Sequence, residues 1–439
     1  MRYGEGKVAI VGAGLAGSLM AVYLGRSGYR VDLFEKRPDP RIEKGQRTRS
    51  INLAISARGL DALGRVGLDR EVLDMAIPMR GRMMHAQSGR LTFQPYGVKG
   101  QAINSVSRAN LNLVMIEAAD ELSNVCCHFS AVLADADIDN GVLKIRDPGG
   151  GSISETYDAV IGADGAFSSV RAHMVQRQRF SFSQTYLEHG YKELTIPAGP
   201  NNSHRLSRDA LHIWPRGGYM MIALPNIDGS FTCTLFWPHE GPNSFEEVSE
   251  NEVVQFFESN FLDVVSLMPS LMEDFASNPT SSLATIRCDP WHVGKAVLLG
   301  DAAHAVVPFY GQGANAAFES CVVLDECLKE CSGDWRSAFA TYSHRRKPHT
   351  DALADLAIGN FVEMRNRVTS PMFLLKKKTE KLLLRTVPGY LPLYSMISFS
   401  TIPYAEAVHR NRRRNALTRN VVLLAGFALV VLLLSYLLG

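Results

Sequence analysis

The chain is short of the features that mark several protein classes. Its 439 residues hold seven cysteines, an odd number with no Cys-x-x-Cys pair. That argues against a disulfide framework and points to reduced thiols inside a cell. HExxH, Cys/His clusters with zinc spacing and a GxSxG elbow are all missing. No metal and no serine-hydrolase chemistry are therefore expected. Neither sign of charge is in excess: 46 Lys+Arg face 44 Asp+Glu, a net of +2, which gives no reason to expect nucleic acid as a partner. Internal repeats and low-complexity runs are lacking, and at 46% apolar and 21% charged the composition excludes a disordered or collagen-like chain. No basic and apolar leader precedes the first strand candidate at Val8, so no signal or transit peptide is expected.

One apolar run stands out. Residues 421–438 read VVLLAGFALVVLLLSYLL, without a charge and with only Ser435 and Tyr436 as polar interruptions. As a helix this run is about 27 Å long, close to the ~30 Å hydrocarbon core of a bilayer. Arg410, Arg412, Arg413, Arg414 and Arg419 precede it, as the positive-inside rule asks of a cytoplasmic flank. The alternative is a buried C-terminal core helix, which would carry a more polar face. The expectation is a transmembrane anchor over 420–439 with the rest of the chain facing the cytoplasm. Residues 372–384 (MFLLKKKTEKLLL) are apolar and basic together and suit either a membrane surface or a helix capping the active site.

Residues 7–35 read KVAIVGAGLAGSLMAVYLGRSGYRVDLFE. An apolar strand runs into Gly12-x-Gly14-x-x-Gly17, then a helix, then a second strand ending at Glu35. Gly12 permits a tight turn, Gly14 lets backbone approach a pyrophosphate, and Gly17 allows close helix–strand packing. The helix N-terminus, beginning at Leu15, turns its amides toward phosphate. Glu35 can accept hydrogen bonds from ribose hydroxyls. The pattern predicts dinucleotide binding without separating FAD from NAD.

Two later segments repeat the strand-to-turn-to-helix design. Residues 158–171 (DAVIGADGAFSSVR) place Asp164 after a strand, and 296–315 (AVLLGDAAHAVVPFYGQGAN) place Asp301 after another. Carboxylates at the carboxyl ends of parallel strands sit where α/β sheets bind ligands. Asp301 suits a ribityl hydroxyl. The amides of Gly313, Ala314 and Asn315 open a helix and can stabilise negative charge on a reduced flavin ring. His304 reads as a turn or packing residue.

The order GxGxxG, DG, GD resembles the single-component flavoprotein aromatic hydroxylases, with a p-hydroxybenzoate hydroxylase-like fold. Segments 50–58 (SINLAISAR), 77–85 (IPMRGRMMH), 105–111 (SVSRANL), 189–197 (HGYKELTIP), 220–226 (MMIALPN) and 360–365 (NFVEMR) are similar to the kynurenine 3-monooxygenase family, so the likeness spans nearly the whole chain. One departure is Ala314, where the family's GQGMN has Met. The resemblance implies tightly bound, non-covalent FAD, with NADPH and O2 as co-substrates. L-kynurenine would be hydroxylated to 3-hydroxy-L-kynurenine, in tryptophan degradation toward NAD, through a flavin C4a-hydroperoxide. The flavin carries that chemistry, so no side-chain acid or base is expected to be catalytic.

The resemblance also implies site roles. Arg82 and Tyr96 would bind the substrate carboxylate, with Asn360 and Tyr394 near its amino acid end. Ile222, Leu224, Phe236, Pro308 and Phe309 would wall its ring, and Tyr310 would approach the aniline or ketone. For the cofactor it adds Ala54, Arg108 and Leu133 to Gly12, Gly14, Leu15, Gly17, Glu35, Asp164, Asp301, Gly313, Ala314 and Asn315.

The expected fold is α/β. A discontinuous Rossmann-like FAD-binding domain covers 1–75, 104–175 and 290–345, and a mostly β substrate domain covers 76–103 and 176–289. A helical region over 346–415 and the anchor follow. The membrane implied is the mitochondrial outer membrane in a eukaryote or the inner membrane in a bacterium; the oligomeric state stays open. Two other readings are a membrane-associated flavin monooxygenase or epoxidase with another substrate and a non-catalytic binding protein on the same fold. Arg82 argues against a hydrocarbon substrate, and the retained GD and GQG elements argue against the binding protein.

Overall fold

The computed structural model describes residues 3–42, 51–97, 100–147, 149–250, 252–366 and 390–417. At its centre lies a parallel sheet of short strands, of which three adjacent ones are apolar and buried on both faces. Lys7–Val11 takes the middle, between Arg30–Phe34 and Ala159–Gly162. Val125–His128 extends the first side and Ala296–Leu298 the second, with His292–Val293 as an antiparallel edge. Because the five parallel strands run the same way, Val11, Phe34, Gly162 and Leu298 end on one rim. Gly12, Glu35, Asp164 and Asp301 follow directly from that rim.

A second, seven-stranded sheet runs in the order Ser281–Asp289, Ser181–Ile196, Phe231–Pro238, Met220–Pro225, Ala210–Pro215, Gly81–His85, Leu91–Pro95. Its side chains alternate with the two-residue period of a strand. Met221, Ala223, Phe231, Cys233, Leu235 and Trp237 point to one face and pack with Trp214, Phe256, Phe257 and Phe261 into an aromatic core under the helices of 253–277. Arg82, Met84, Leu211, Ile213, Met220, Ile222, Leu224 and Phe236 share the opposite face, because pairing sets Arg82 beside Leu211 and Ile222 beside Thr234. That opposite face is the one turned toward the candidate active site.

The long helix Trp335–Asn366 packs on Gly313–Glu330 and on the short Pro308–Tyr310 turn. Leu393–Ser398 and the helical stretch 404–417 close the same side. The expected transmembrane helix needs correction. Among the described residues no helix is long and apolar enough to cross a membrane. A span needs roughly 20 apolar residues; the apolar helix Leu15–Arg26 has 12, and the 32-residue Trp335–Asn366 carries Arg345, Arg346 and Lys347. Residues 420–439 and 372–384, which carried the membrane expectations, lie outside the described residues. The fold described is α/β without a spanning helix, and the membrane anchor, the bilayer partner and the location built on them fall with that finding.

On the helix-covered side of the second sheet, His85 and His212 form a buried relay. His212 Nε2–H donates to the Ser207 carbonyl at 2.8 Å, so its Nδ1 accepts from His85 Nε2 at 2.8 Å. His85 Nδ1 donates in turn to Asp263 at 2.5 Å. Burial, reinforced by His85, lowers the His212 pKa to about 4. An unfolded histidine takes up its proton near pH 6.5. The stability due to neutral His212 is therefore complete above pH 6.5 and declines as the pH falls from there to 4. Over that window about 3 kcal/mol should be lost. Melting temperatures across it should fall steeply in the wild type and less in His212→Asn; equal slopes would remove His212 as the cause.

Candidate active site

The rim of the parallel sheet is built for a dinucleotide. Gly12 has φ +103, and a Cβ there would stand 2.6 Å from the Ala163 carbonyl oxygen. A Cβ on Gly17 would meet the Gly12 carbonyl oxygen at 1.9 Å, so helix and strand touch through backbone alone. Gly14 is different: no described residue lies within 4 Å of its would-be Cβ. This glycine faces open space at the start of Leu15–Arg26, the approach a pyrophosphate would use.

Glu35 follows the second strand and is buried. Its carboxylate accepts from the Ala13 amide at 3.0 Å and from Arg37 Nε at 2.8 Å. Burial opposes its charge, yet Arg37 and the backbone donors hold its carboxyl below the usual range. Burial instead pushes the Asp301 carboxyl up, with Arg108 pulling the other way. Arg108 is exposed and opens the helix Arg108–Asp120. Leu133 lies on Val132–Asp137 and packs on the main core beside the rim.

Two motif residues do something other than their motifs suggest. Asp164 caps a helix: Oδ1 accepts from Ser168 Oγ at 2.6 Å and Oδ2 from the Ser169 amide at 2.6 Å. Asn315 is fully buried and acts as a clamp. Its Oδ1 accepts from the Ser56 amide at 2.9 Å, and its Nδ2 donates to the Ala54 and Gly311 carbonyls, each at 2.9 Å. The clamp holds the loop after Asn52–Ile55 against the Gly311 turn, where Gly311 has φ +64 and faces Ala54. Gly313 and Ala314 then begin an 18-residue helix. These backbone amides, the open space at Gly14 and the Asp301 carboxylate together fit an FAD lying along the rim.

The clamp is braced from behind by residues that sequence reasoning missed. Gln312 donates to Ser56 Oγ at 3.3 Å and accepts from the Tyr404 hydroxyl at 3.1 Å. Arg58, 1% exposed, stacks over the Tyr404 ring at 4.0 Å, pairs with Glu319 at 2.7 Å and donates to the carbonyls of Ile397 and Ile402. Arg346 pairs with the same Glu319 at 2.8 Å. Arg58 and Gln312 lie inside recognised segments, but nothing along the chain marks Tyr404.

The substrate candidates form two clusters joined by Leu211 and Ile222. In one, Tyr96 and Tyr394 stack at 5.6 Å with Leu224 and Phe399, and the Arg82 guanidinium lies 4.7 Å from the Tyr394 ring and 5.6 Å from the Tyr96 ring. Arg82 Nε and the Tyr96 hydroxyl are both buried without a hydrogen-bond partner among the described residues. Burial works against the Arg82 charge, but the two tyrosines raise its pKa, so it stays a cation. Burial also raises the Tyr96 pKa, which leaves that phenol a neutral donor. In the other cluster Phe309 meets Phe236 at 4.9 Å and stacks on Phe361 at 4.2 Å. Tyr310 links the two, 5.7 Å from Tyr394. Asn360 donates to the Phe309 carbonyl at 2.6 Å, and Pro308 is exposed. Leu211, Phe361 and Phe399 escaped the sequence reading, since each looks like ordinary core.

A family profile described as an FAD binding domain matches residues 5–357. Kynurenine 3-monooxygenase of Myxococcus xanthus is 47% identical over 420 residues, covering 94% of this chain and 89% of the relative. The enzyme of that name from Salinispora tropica is 46% identical, covering 97% and 95%. The one from Dictyostelium discoideum is 46% identical, covering 91% and 89%. Among solved structures, 2-methyl-3-hydroxypyridine-5-carboxylic acid oxygenase superposes with a TM-score of 0.68 at 21% identity, covering 84% of this chain and 95% of that one. Tetracycline destructase Tet(55) gives 0.67 at 18%, covering 92% and 99%. These two likenesses concern the fold.

Proposed function

Since the chain belongs to the kynurenine 3-monooxygenase family of FAD-dependent monooxygenases, we propose that it hydroxylates L-kynurenine to 3-hydroxy-L-kynurenine with NADPH and O2. The observation that carries the substrate is the pair of buried donors, Arg82 Nε and the Tyr96 hydroxyl, that have no partner among the described residues and lie beside an apolar aromatic wall. A buried donor without a partner costs roughly 1–3 kcal/mol, and a carboxylate at that point would remove the cost. The cation there disfavours a hydrocarbon substrate for the same reason.

Bound FAD would supply the redox chemistry, taking a hydride from NADPH and activating O2. The protein binds, orients and excludes water. Gly12, Gly14, Leu15 and Gly17 would hold the pyrophosphate, Glu35 the ribose, with Arg108 and Leu133 at its flank, and Asp301 the ribityl chain. Asp164 supports that rim as a helix cap. The amides of Gly313 and Ala314 would stabilise negative charge at the ring, on an edge held by Ala54 and Asn315. Arg82 and Tyr96 would anchor the carboxylate, with Tyr394 beside them. Ile222, Leu224, Phe236 and Phe309 would keep water from the substrate ring, with Pro308 on the outer side of that turn. Asn360 holds the Phe309 carbonyl, and Tyr310 would approach the aniline or ketone. The division into an FAD domain, a substrate β-sheet domain and a helical C-terminal region belongs to the same proposal.

Mixing the FAD-bound protein with NADPH, with and without L-kynurenine, tests it. Flavin bleaching should accelerate with kynurenine, and the product should gain one oxygen atom in mass. Unchanged bleaching and unchanged mass would refute the assignment.

A further inference from the structure

The outer strand of the parallel sheet carries a cluster that this reaction leaves unused. Arg30–Phe34 and Val125–His128 pair in parallel, with Asp32 beside Cys126 and Phe34 beside His128. Cys126 and His128, two residues apart on one strand, share a face with Asp32. One donor atom from each of Asp32, Cys126 and His128 lies within 4.8 Å of the others. We propose that these three side chains bind a transition-metal cation of the Zn2+ class, with solvent as the fourth ligand.

The donor set is one oxygen, one sulfur and one nitrogen, the mixture such cations take. Around a tetrahedral Zn2+ these atoms would stand about 3.5 Å apart. Cys126 is exposed and His128 is partly so, which leaves the site open to solvent. The Asp32 carboxylate is already divided between two tasks. Oδ1 faces His128 Nε2 at 3.1 Å, while Oδ2 accepts from the Tyr157 hydroxyl at 3.1 Å and pairs with Lys7 at 3.0 Å. A cation would replace the proton between Oδ1 and His128. The Oδ2 contacts would remain as the outer shell that orients a metal-binding carboxylate.

Lys7 opposes a cation, but it is also ion-paired with Glu155. Glu155 and Asp147 line the same cavity of about 210 Å³ as Asp32 and His128, so acids outnumber the lysine. On binding, the Cys126 thiol proton leaves to solvent and His128 offers its Nε2 lone pair. Spacing along the chain hides this set, because Asp32 and His128 are 96 residues apart and only strand pairing unites them.

Co2+ reports on such a site through a thiolate charge-transfer band and visible bands on the red side of the flavin. Titrating the reduced, FAD-bound protein should give one Co2+ per chain with both signals, displaced by Zn2+. Cys126→Ser should lose the thiolate band and bind at least about tenfold more weakly. His128→Asn should bind weakly too, whereas Cys127→Ser should match the wild type. FAD content reports that each variant is folded. A thiolate band that survives Cys126→Ser, variants that bind like the wild type, or a wild type giving no band would each overturn the site.

Discussion

Arg82→Ala should weaken L-kynurenine binding about 100-fold, the equivalent of ~3 kcal/mol for a charge-assisted hydrogen-bonding pair in a desolvated pocket. FAD content should stay at the wild-type level, because Arg82 lies on the second sheet and the flavin candidates lie on the rim of the first. Arg82→Lys should recover only part of the affinity, since an ammonium lacks the two-pronged geometry of a guanidinium. Equilibrium binding of kynurenine and the flavin-to-protein absorbance ratio read the two effects separately. A parallel loss of both would make Arg82 a structural residue.

Gly14→Ala and Gly17→Ala should part company although both alter one motif. The methyl of Gly17→Ala would collide with the Gly12 carbonyl oxygen, which is backbone and cannot swing aside. That variant should fail to accumulate as folded protein. Gly14 has φ −74, which any residue adopts, and its Cβ would meet nothing among the described residues within 4 Å. Gly14→Ala should therefore melt like the deflavinated wild type yet bind FAD on the order of 100-fold more weakly, because its methyl takes the space proposed for the pyrophosphate. Reconstitution of the deflavinated proteins, followed by flavin fluorescence, measures this. Wild-type FAD affinity in Gly14→Ala would place the pyrophosphate elsewhere.

The rim of the parallel sheet was legible from the sequence because its signals are local: an apolar strand, a glycine turn and an acid within a few dozen residues. What those side chains bond to was less so. Asn315 spans 259 residues of chain to reach Ser56, and its motif gives no hint that its amide joins two loops. Asp164 reads as a ligand-facing acid, but its partners Ser168 and Ser169 are near enough in sequence that a helix cap could have been inferred. Arg82 and Tyr96 came from resemblance, since a single arginine in a strand has no periodic signature. The transmembrane expectation rested on the composition of one run and the arginines before it, and no described helix supplies it. Tyr404 shows the common cause of the misses: its importance lies in contacts made across more than 90 residues.

The strict alternation of the seven-stranded sheet separates two design problems on one set of strands. On 220–225 and 231–238, odd positions such as Met221, Ala223, Cys233, Leu235 and Trp237 belong to the aromatic core, and even positions such as Ile222, Leu224 and Phe236 form the face proposed for the substrate. Changing the partly exposed Ile222 should therefore retune which aryl acids are accepted at little cost in melting temperature, whereas truncating the buried Leu224 or Phe236 should lower stability as well. At Ile222 selectivity and robustness are separate dials, while at Leu224 and Phe236 one cannot be turned without the other.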